Sequence, residues 1–289
     1  MRRTMLFLPG NSPRMLMNGG IMGADSIIFD LEDAVAPDDK DAARDLVRYA
    51  MGSLDFGRCE RIVRINALNT PYWEADLEAV IPLRPDLIMP TKVSDALYIT
   101  HLSEKIAQEE EKAGIPSGYV HILPLLETAL GIENAFSIAS ANPRVIGLYL
   151  GAEDLTADLQ CVRTKEGGEI SYARSRLVCA ARAAGIGAYD TPFTDVDDLE
   201  GLERDARLAK SLGYSGKAVI SPRHVNCVNQ VFSPTQAEID YAKEVIQAVE
   251  EGTRQGKGAV SLRGKMIDAP IMERAKTVLA SAAELGVGE

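Results

Sequence analysis

Eight short runs of β-branched or apolar residues, separated by longer amphipathic stretches, most constrain how this 289-residue chain can fold. The runs fall at 5–8, 26–31, 62–65, 87–90, 120–126, 145–150, 187–189 and 217–220. This βαβα rhythm implies parallel strands joined by helical crossovers, since parallel neighbours cannot be connected by a tight turn. Eight such units favour closure into a barrel, for which about 250 residues are typical. Helices are predicted over 38–50, 71–80, 94–113, 129–139, 172–184 and 196–212, several stopping at a glycine such as Gly114, Gly185 or Gly213. After the eighth strand and a short helix over 224–231, the remainder reads as a helix over 234–251, a link punctuated by Gly256, Gly258 and Gly264, and a last helix from Ala269 onward. The predicted fold class is α/β: a (β/α)8 TIM barrel with a C-terminal helical lid segment. The barrel is expected over 1–232 and the appendage over 233–289.

The balance of charge narrows the partners. With 42 acidic against 31 basic residues the net charge is -11, which offers a phosphate backbone no broad attraction. Neither nucleic acid nor a membrane surface is expected as a partner. No apolar run approaches the roughly 18 residues that span a bilayer, and Met1-Arg2-Arg3 leads only into a short strand. Cys59, Cys161, Cys179 and Cys227 are widely spaced without a C-x-x-C pair, which argues against a zinc ribbon or a disulfide framework and makes the cytoplasm the expected compartment. His101, His121 and His224 show no helical pairing, so any metal should be a hard ion held by carboxylates.

In a barrel of this type the chemistry sits at the C-terminal ends of the strands. Glu127 follows the fifth run and Asp154 the sixth; neighbouring strands lie about 4.8 Å apart, so the two carboxylates can converge on one magnesium ion. The alternative is that each caps the helix that follows. Arg64, inside the otherwise apolar third run, needs an anionic partner, either a substrate carboxylate or developing enolate, or Glu32 or Asp33. The tripeptide Ser-Pro-Arg occurs after the first and eighth strands, a helix-start signal that makes Arg14 a candidate ligand for a phosphate. Lys92, just past the fourth strand, reads as a solvated or salt-bridged lysine rather than a Schiff base. Lys217 opens the eighth strand and is expected to face the other end of the barrel, and His121 is expected to be a satisfied core residue.

The stretches Arg3-Thr4-Met5-Leu6-Phe7-Leu8-Pro9-Gly10-Asn11, Phe29-Asp30-Leu31-Glu32-Asp33, Val63-Arg64-Ile65-Asn66, Glu127-Thr128-Ala129-Leu130-Gly131, Gly151-Ala152-Glu153-Asp154-Leu155 and Gly264-Lys265-Met266-Ile267-Asp268-Ala269-Pro270 carry a resemblance. Over nearly the whole chain the sequence resembles the citrate lyase beta and malyl-CoA lyase-like aldolase family. The resemblance implies a (β/α)8 barrel, Mg2+, and retro-Claisen cleavage of an acyl thioester. It implies Glu127 and Asp154 as metal ligands, Arg64 as substrate anchor, and Glu32 and Asp33 as the acidic pair that orders the metal's water shell and the arginine. Arg14 would contact the thioester carrier. Relatives usually place a lysine directly after the proline of Met89-Pro90-Thr91-Lys92, so the role of Lys92 stays open.

The tail is most similar to the citrate lyase beta subunit type. The activity implied is cleavage of a citryl thioester, on an acyl carrier protein or CoA, to oxaloacetate and an acetyl thioester, alongside citrate lyase alpha and gamma subunits. A free-standing malyl-CoA or (S)-citramalyl-CoA lyase is the alternative, and a non-catalytic acyl-carrier-binding scaffold the second. Asp268 lies outside the barrel. It reads either as the N-cap of the last helix or, as the resemblance implies, as a general acid/base supplied by a neighbouring subunit of a homo-oligomer, expected to be a trimer.

Overall fold

The computed structural model describes residues 1–254 and 260–287. They form two compact units, Arg2–Asn229 and Met1 with Gln230–Glu289. The predicted link residues Gly256 and Gly258 lie outside the described residues.

In the larger unit the strands are β1 (Thr4–Pro9), β2 (Ser26–Asp30), β3 (Glu60–Ile65), β4 (Leu87–Pro90), β5 (His121–Ile122), β6 (Leu125–Leu126), β7 (Gly147–Leu150), β8 (Gly187–Asp190) and β9 (Gly216–Val219). Between them run α1 (Pro13–Asn18), α2 (Lys40–Ser53), α3 (Trp73–Val80), α4 (Ala96–Lys112), α5 (Ala129–Glu133), α6 (Ala135–Ala139), α7 (Ala152–Asp158), α8 (Ser171–Ala183) and α9 (Leu199–Leu212). A final helix, α10 (Pro222–Phe232), leads out of the unit. All strand pairs are parallel, in the order β5-β4-β3-β2-β1-β9-β8-β7-β6. β5 and β6 are two halves of the predicted fifth strand, so this curled sheet joins up on itself as a TIM-barrel fold. Pro124 explains the division, because it has no N–H to give to a ladder. The neighbours stay bonded across it: Leu123 N–H donates to the Ile88 carbonyl at 2.9 Å, and Tyr149 N–H to the Pro124 carbonyl at 3.0 Å.

The inward residues of the strands make the core. Met5, Ile28, Ile62, Leu87, Met89 and Leu125 are all buried together in one cluster. Each contributes on the order of 1.5–3 kcal/mol by leaving water. The helices stop where glycine permits a left-handed turn, as at Gly213 (φ 101°), which the sequence foretold. No helix among the described residues is long and apolar enough to cross a membrane. All four cysteines are free thiols.

The smaller unit holds α11 (Gln236–Arg254), β10 (Val260–Leu262), β11 (Lys265–Ile267) and α12 (Ala269–Leu285). Ala242 and Val245 of α11 pack with Ile267 and with Ala275 of α12. The segment read from sequence as a glycine-punctuated link therefore ends in an antiparallel hairpin pairing Leu262 with Lys265. Its two-residue turn, Arg263 (φ 51°) and Gly264 (φ 76°), has the doubly left-handed form that suits hairpin twist. The Met1 amino group is ion-paired with Glu284 within this unit.

Candidate active site at the C-terminal mouth of the barrel

The C-terminal ends of the strands enclose a cavity of about 300 Å³ lined by Phe7, Arg64, Glu127, Tyr149, Asp154 and Thr191, among others. Strand register builds it. Asp30 stands opposite Arg64 across β2 and β3, and Gly151 N–H donates to the Leu126 carbonyl at 3.0 Å, which sets Gly151 beside Glu127.

Arg64 finds its anion inside the protein, and that anion is Asp30 rather than Glu32 or Asp33 alone. Its Nε and Nη2 donate to the two Asp30 oxygens at 2.7 and 2.6 Å, a bidentate geometry that fixes the guanidinium plane. Nη1 lies 3.3 Å from Glu32 Oε2, and the guanidinium carbon sits 4.9 Å from the centre of the Phe7 ring. Burial works against the arginine's charge, and Asp30, Glu32 and Glu127 more than offset it, so the pKa is raised. Asp33 stands at the exposed rim, where its N–H donates to Glu32 Oε2 at 2.9 Å.

Neither Glu127 nor Asp154 caps its helix. Thr128 caps α5 through its hydroxyl, which accepts from Gly131 N–H at 3.1 Å, and the N-cap of α7 is Gly151. Glu127 is 3% exposed and its Oε1 accepts from Lys92 N–H at 2.7 Å. Burial pushes its carboxyl up to about 8; Lys92 pulls it down, while Asp154 and Glu32 raise it further. Lys92, at φ 53°, holds one of four positive φ values at non-glycine residues among those described. Such strain concentrates at functional sites, and here the turn aims the Lys92 amide at Glu127. Its ammonium is ion-paired with Asp154 and lies 3.5 Å from Glu32 Oε1. The expected salt-bridged lysine is therefore the lysine found.

This arrangement fits a hard divalent cation. The Lys92 ammonium is ion-paired with Asp154 and lies 3.5 Å from Glu32, and the Glu127 charge also favours it. Among the described residues no group of three or more His, Cys, Asp or Glu side chains is arranged as a metal cage. Magnesium does not need one, since it commonly binds through one or two carboxylates and keeps waters or substrate oxygens as its other ligands. Glu127 and Asp154 are the pair that would hold it.

Other expected residues lie elsewhere. Arg14 is exposed on α1 and does not line the cavity. Asp268 belongs to the smaller unit, where it caps α12 by accepting from Ile271 N–H at 3.2 Å. Lys217 corrects its expectation. Register places it opposite Asp190, the last residue of β8, because strands in a closed barrel are staggered. Its ammonium lies 2.6 Å from Asp190, 2.6 Å from Asp205 and 2.6 Å from the Thr191 carbonyl, buried between β8 and α9. Arg174 joins both aspartates at 2.9 and 2.7 Å. His121 is half-buried with its Nδ1 unbonded, so it is not the satisfied core residue expected. The sequence reading missed Asp30 as the arginine's partner, and Tyr149 and Thr191 as lining residues. The signal for Asp30 was an acid at one strand end level with a base at the next; a tyrosine inside an apolar run gave none.

Fold and site define a barrel enzyme that gathers an arginine and metal-competent carboxylates at its C-terminal mouth. Residues 3–222 match the model of the HpcH/HpaI aldolase/citrate lyase family, and the chain belongs to this family of lyases. It is 45% identical over 279 residues to the citrate lyase subunit beta of Leuconostoc mesenteroides subsp. cremoris, covering 96% of this chain and 92% of that protein. It is 40% identical over 288 residues to the citrate lyase subunit beta of Escherichia coli, covering 100% and 95%. Among solved structures it is similar to protein CitE from Mycobacterium tuberculosis in complex with magnesium, acetoacetate and coenzyme A, at a TM-score of 0.79 and 31% identity over 97% of this chain and 98% of that one.

Proposed function

We propose that this chain cleaves a citryl thioester, carried on an acyl carrier protein or on CoA, to oxaloacetate and an acetyl thioester with Mg2+ as cofactor. The observation that carries this reading is that Glu127, Asp154 and a preset Arg64 line one cavity at the strand ends. The similarity to citrate lyase beta subunits and to a magnesium-bound CitE supports it. Glu127 and Asp154 would hold the ion. Bound there, magnesium supplies Lewis acidity that lowers the pKa of the substrate hydroxyl. As the carbon–carbon bond breaks, its electron pair passes to the thioester as an enolate. Arg64, held in place by Asp30 before the reaction starts, stabilises that charge without reorganising. We assign Asp268 of a neighbouring copy in a homotrimer as the acid/base: its carboxylate accepts the hydroxyl proton as the alkoxide collapses to the oxo acid, and returns that proton to the enolate carbon. Citrate lyase alpha and gamma subunits complete the proposed assembly.

Purified protein assayed with Mg2+ and citryl-CoA, citramalyl-CoA and malyl-CoA tests the reading. Cleavage of citryl-CoA, abolished in Glu127→Ala and Asp154→Ala proteins that still fold, is expected. Turnover of malyl-CoA alone would overturn the substrate. Full activity in either variant would overturn the metal site.

A further inference from the structure

Tyr149 sits on β7 opposite Leu125, within the apolar core of the barrel, and is 1% exposed. Its hydroxyl has no hydrogen-bond partner among the described residues. Burying a hydroxyl without a partner is destabilising, so folding alone would be better served by phenylalanine. Of the buried polar side chains among the described residues that hold an unpartnered atom, Tyr149 is the one that lines the cavity at the barrel mouth. The ring is fixed edge-on to Phe7, with centroids 6.3 Å apart, and the same Phe7 ring lies beneath the Arg64 guanidinium. The charges of Arg64, Asp190, Glu127 and Asp30 all act on the phenol.

The charged donors around it are already engaged. Arg64 is held by Asp30 and Glu32, and Lys92 by Asp154 and Glu32. We infer that the Tyr149 hydroxyl is a substrate contact, donating a hydrogen bond to a carboxylate oxygen of the oxo-acid half of the substrate. The inference rests on the function proposed above. Burial keeps the phenol protonated far above its ordinary range, so it serves as a donor and not as a base. A neutral donor beside a guanidinium matches an anionic oxygen that the arginine also attracts, and a rigid ring places it at little cost in side-chain freedom. A site built to hydrogen-bond one substrate oxygen discriminates against acids that put no oxygen there.

The test is Tyr149→Phe, read by calorimetric titration of the magnesium-loaded protein with oxaloacetate, by Mg2+ titration, by thermal unfolding and by citryl-CoA kinetics. Oxaloacetate affinity should fall roughly 10- to 100-fold, as for loss of a hydrogen bond to a charged group, with KM raised to match. Magnesium affinity should not change, and Tm without ligand should be equal or higher. Unchanged oxaloacetate affinity and KM would overturn the inference, as would a fall in Tm accompanied by loss of magnesium binding, which would make the hydroxyl structural. The wild-type control separates this from the broader reading: wild-type cleavage of citryl-CoA with Tyr149→Phe unimpaired sinks the tyrosine alone. A wild type that cleaves none of the three thioesters sinks the proposed function, while oxaloacetate binding still decides the tyrosine.

Discussion

Gly151→Ala is the sharpest structural test of the metal site, because it adds one methyl group and removes no polar atom. A Cβ at position 151 would lie 2.7 Å from Glu127 Cβ, 2.8 Å from Glu127 Oε2 and 3.0 Å from Leu125 Cδ1. Carbon atoms pack best at about 3.5–4.0 Å, so relief of the 2.7 Å Cβ–Cβ approach requires Glu127 to move by roughly 0.8–1.3 Å. The backbone at Gly151, with φ -102° and ψ 96°, is extended and open to alanine, so the effect is contact and not strain. Glu127 cannot simply swing away, since its Oε1 is held at 2.7 Å by the Lys92 amide. Metal ligands must be held to about 0.5 Å, so a shift of this size should weaken Mg2+ binding on the order of 10- to 100-fold. Overpacking should also cost about 1–3 kcal/mol of stability. Mg2+ titration calorimetry with thermal unfolding reads both, and Gly168→Ala is the control, because a Cβ there meets nothing within 4 Å. Wild-type magnesium affinity in Gly151→Ala would refute the assignment of Glu127 as a ligand.

Three further outcomes are expected. Glu110→Ala should destabilise the barrel by roughly 3–5 kcal/mol in denaturant titration, because it strands a buried Arg144 that Glu110 now grips at 2.6 and 2.8 Å. Glu169 is held down at about 2: burial raises it, but hydrogen bonds from the Thr164 N–H and hydroxyl and from Arg163 outweigh that. A depressed carboxylate stabilises the fold above its unfolded pKa and loses that contribution as pH falls through the folded value. Glu169→Gln should therefore be less stable than wild type by about 1 kcal/mol at pH 7 once solvent screening is allowed for, with the gap closing between about pH 5 and 2 in thermal melts. Mixing inactive Asp268→Asn with inactive Glu127→Ala under subunit exchange should restore part of the lyase activity; no recovery despite proven exchange would confine Asp268 to its own chain or to its capping role.

What was legible in the sequence was whatever depends on neighbours along the chain. Apolar runs, helix-stopping glycines and polar residues at strand ends are local, and Arg64, Glu127 and Asp154 were visible through them. Pairing across strands was not. That Asp30 is the arginine's partner follows from the register of β2 against β3, and that Lys217 stands level with Asp190 follows from the stagger of a closed barrel. The break at Pro124 was present in the letters, yet an apolar run on both sides masked it. The Arg263–Gly264 hairpin was misread because a glycine in a left-handed turn and a glycine in a flexible link look alike until the flanking residues are seen to pair.

The ammonium of Lys92 gives the barrel mouth a tethered counterion. At the proposed metal site, loading an ion would exchange one cation for another, and Glu32 and Asp154 would not confront each other unshielded. Ordinary acidic metal pockets loosen when emptied, because like charges push their walls apart. Here the lysine's four-carbon stem, anchored by an amide already bonded to Glu127, can withdraw and return without disturbing the strands. On the proposed site, the mouth would keep one shape through loading and unloading, and its affinity for a divalent ion would be the difference between two occupants, not the strength of one.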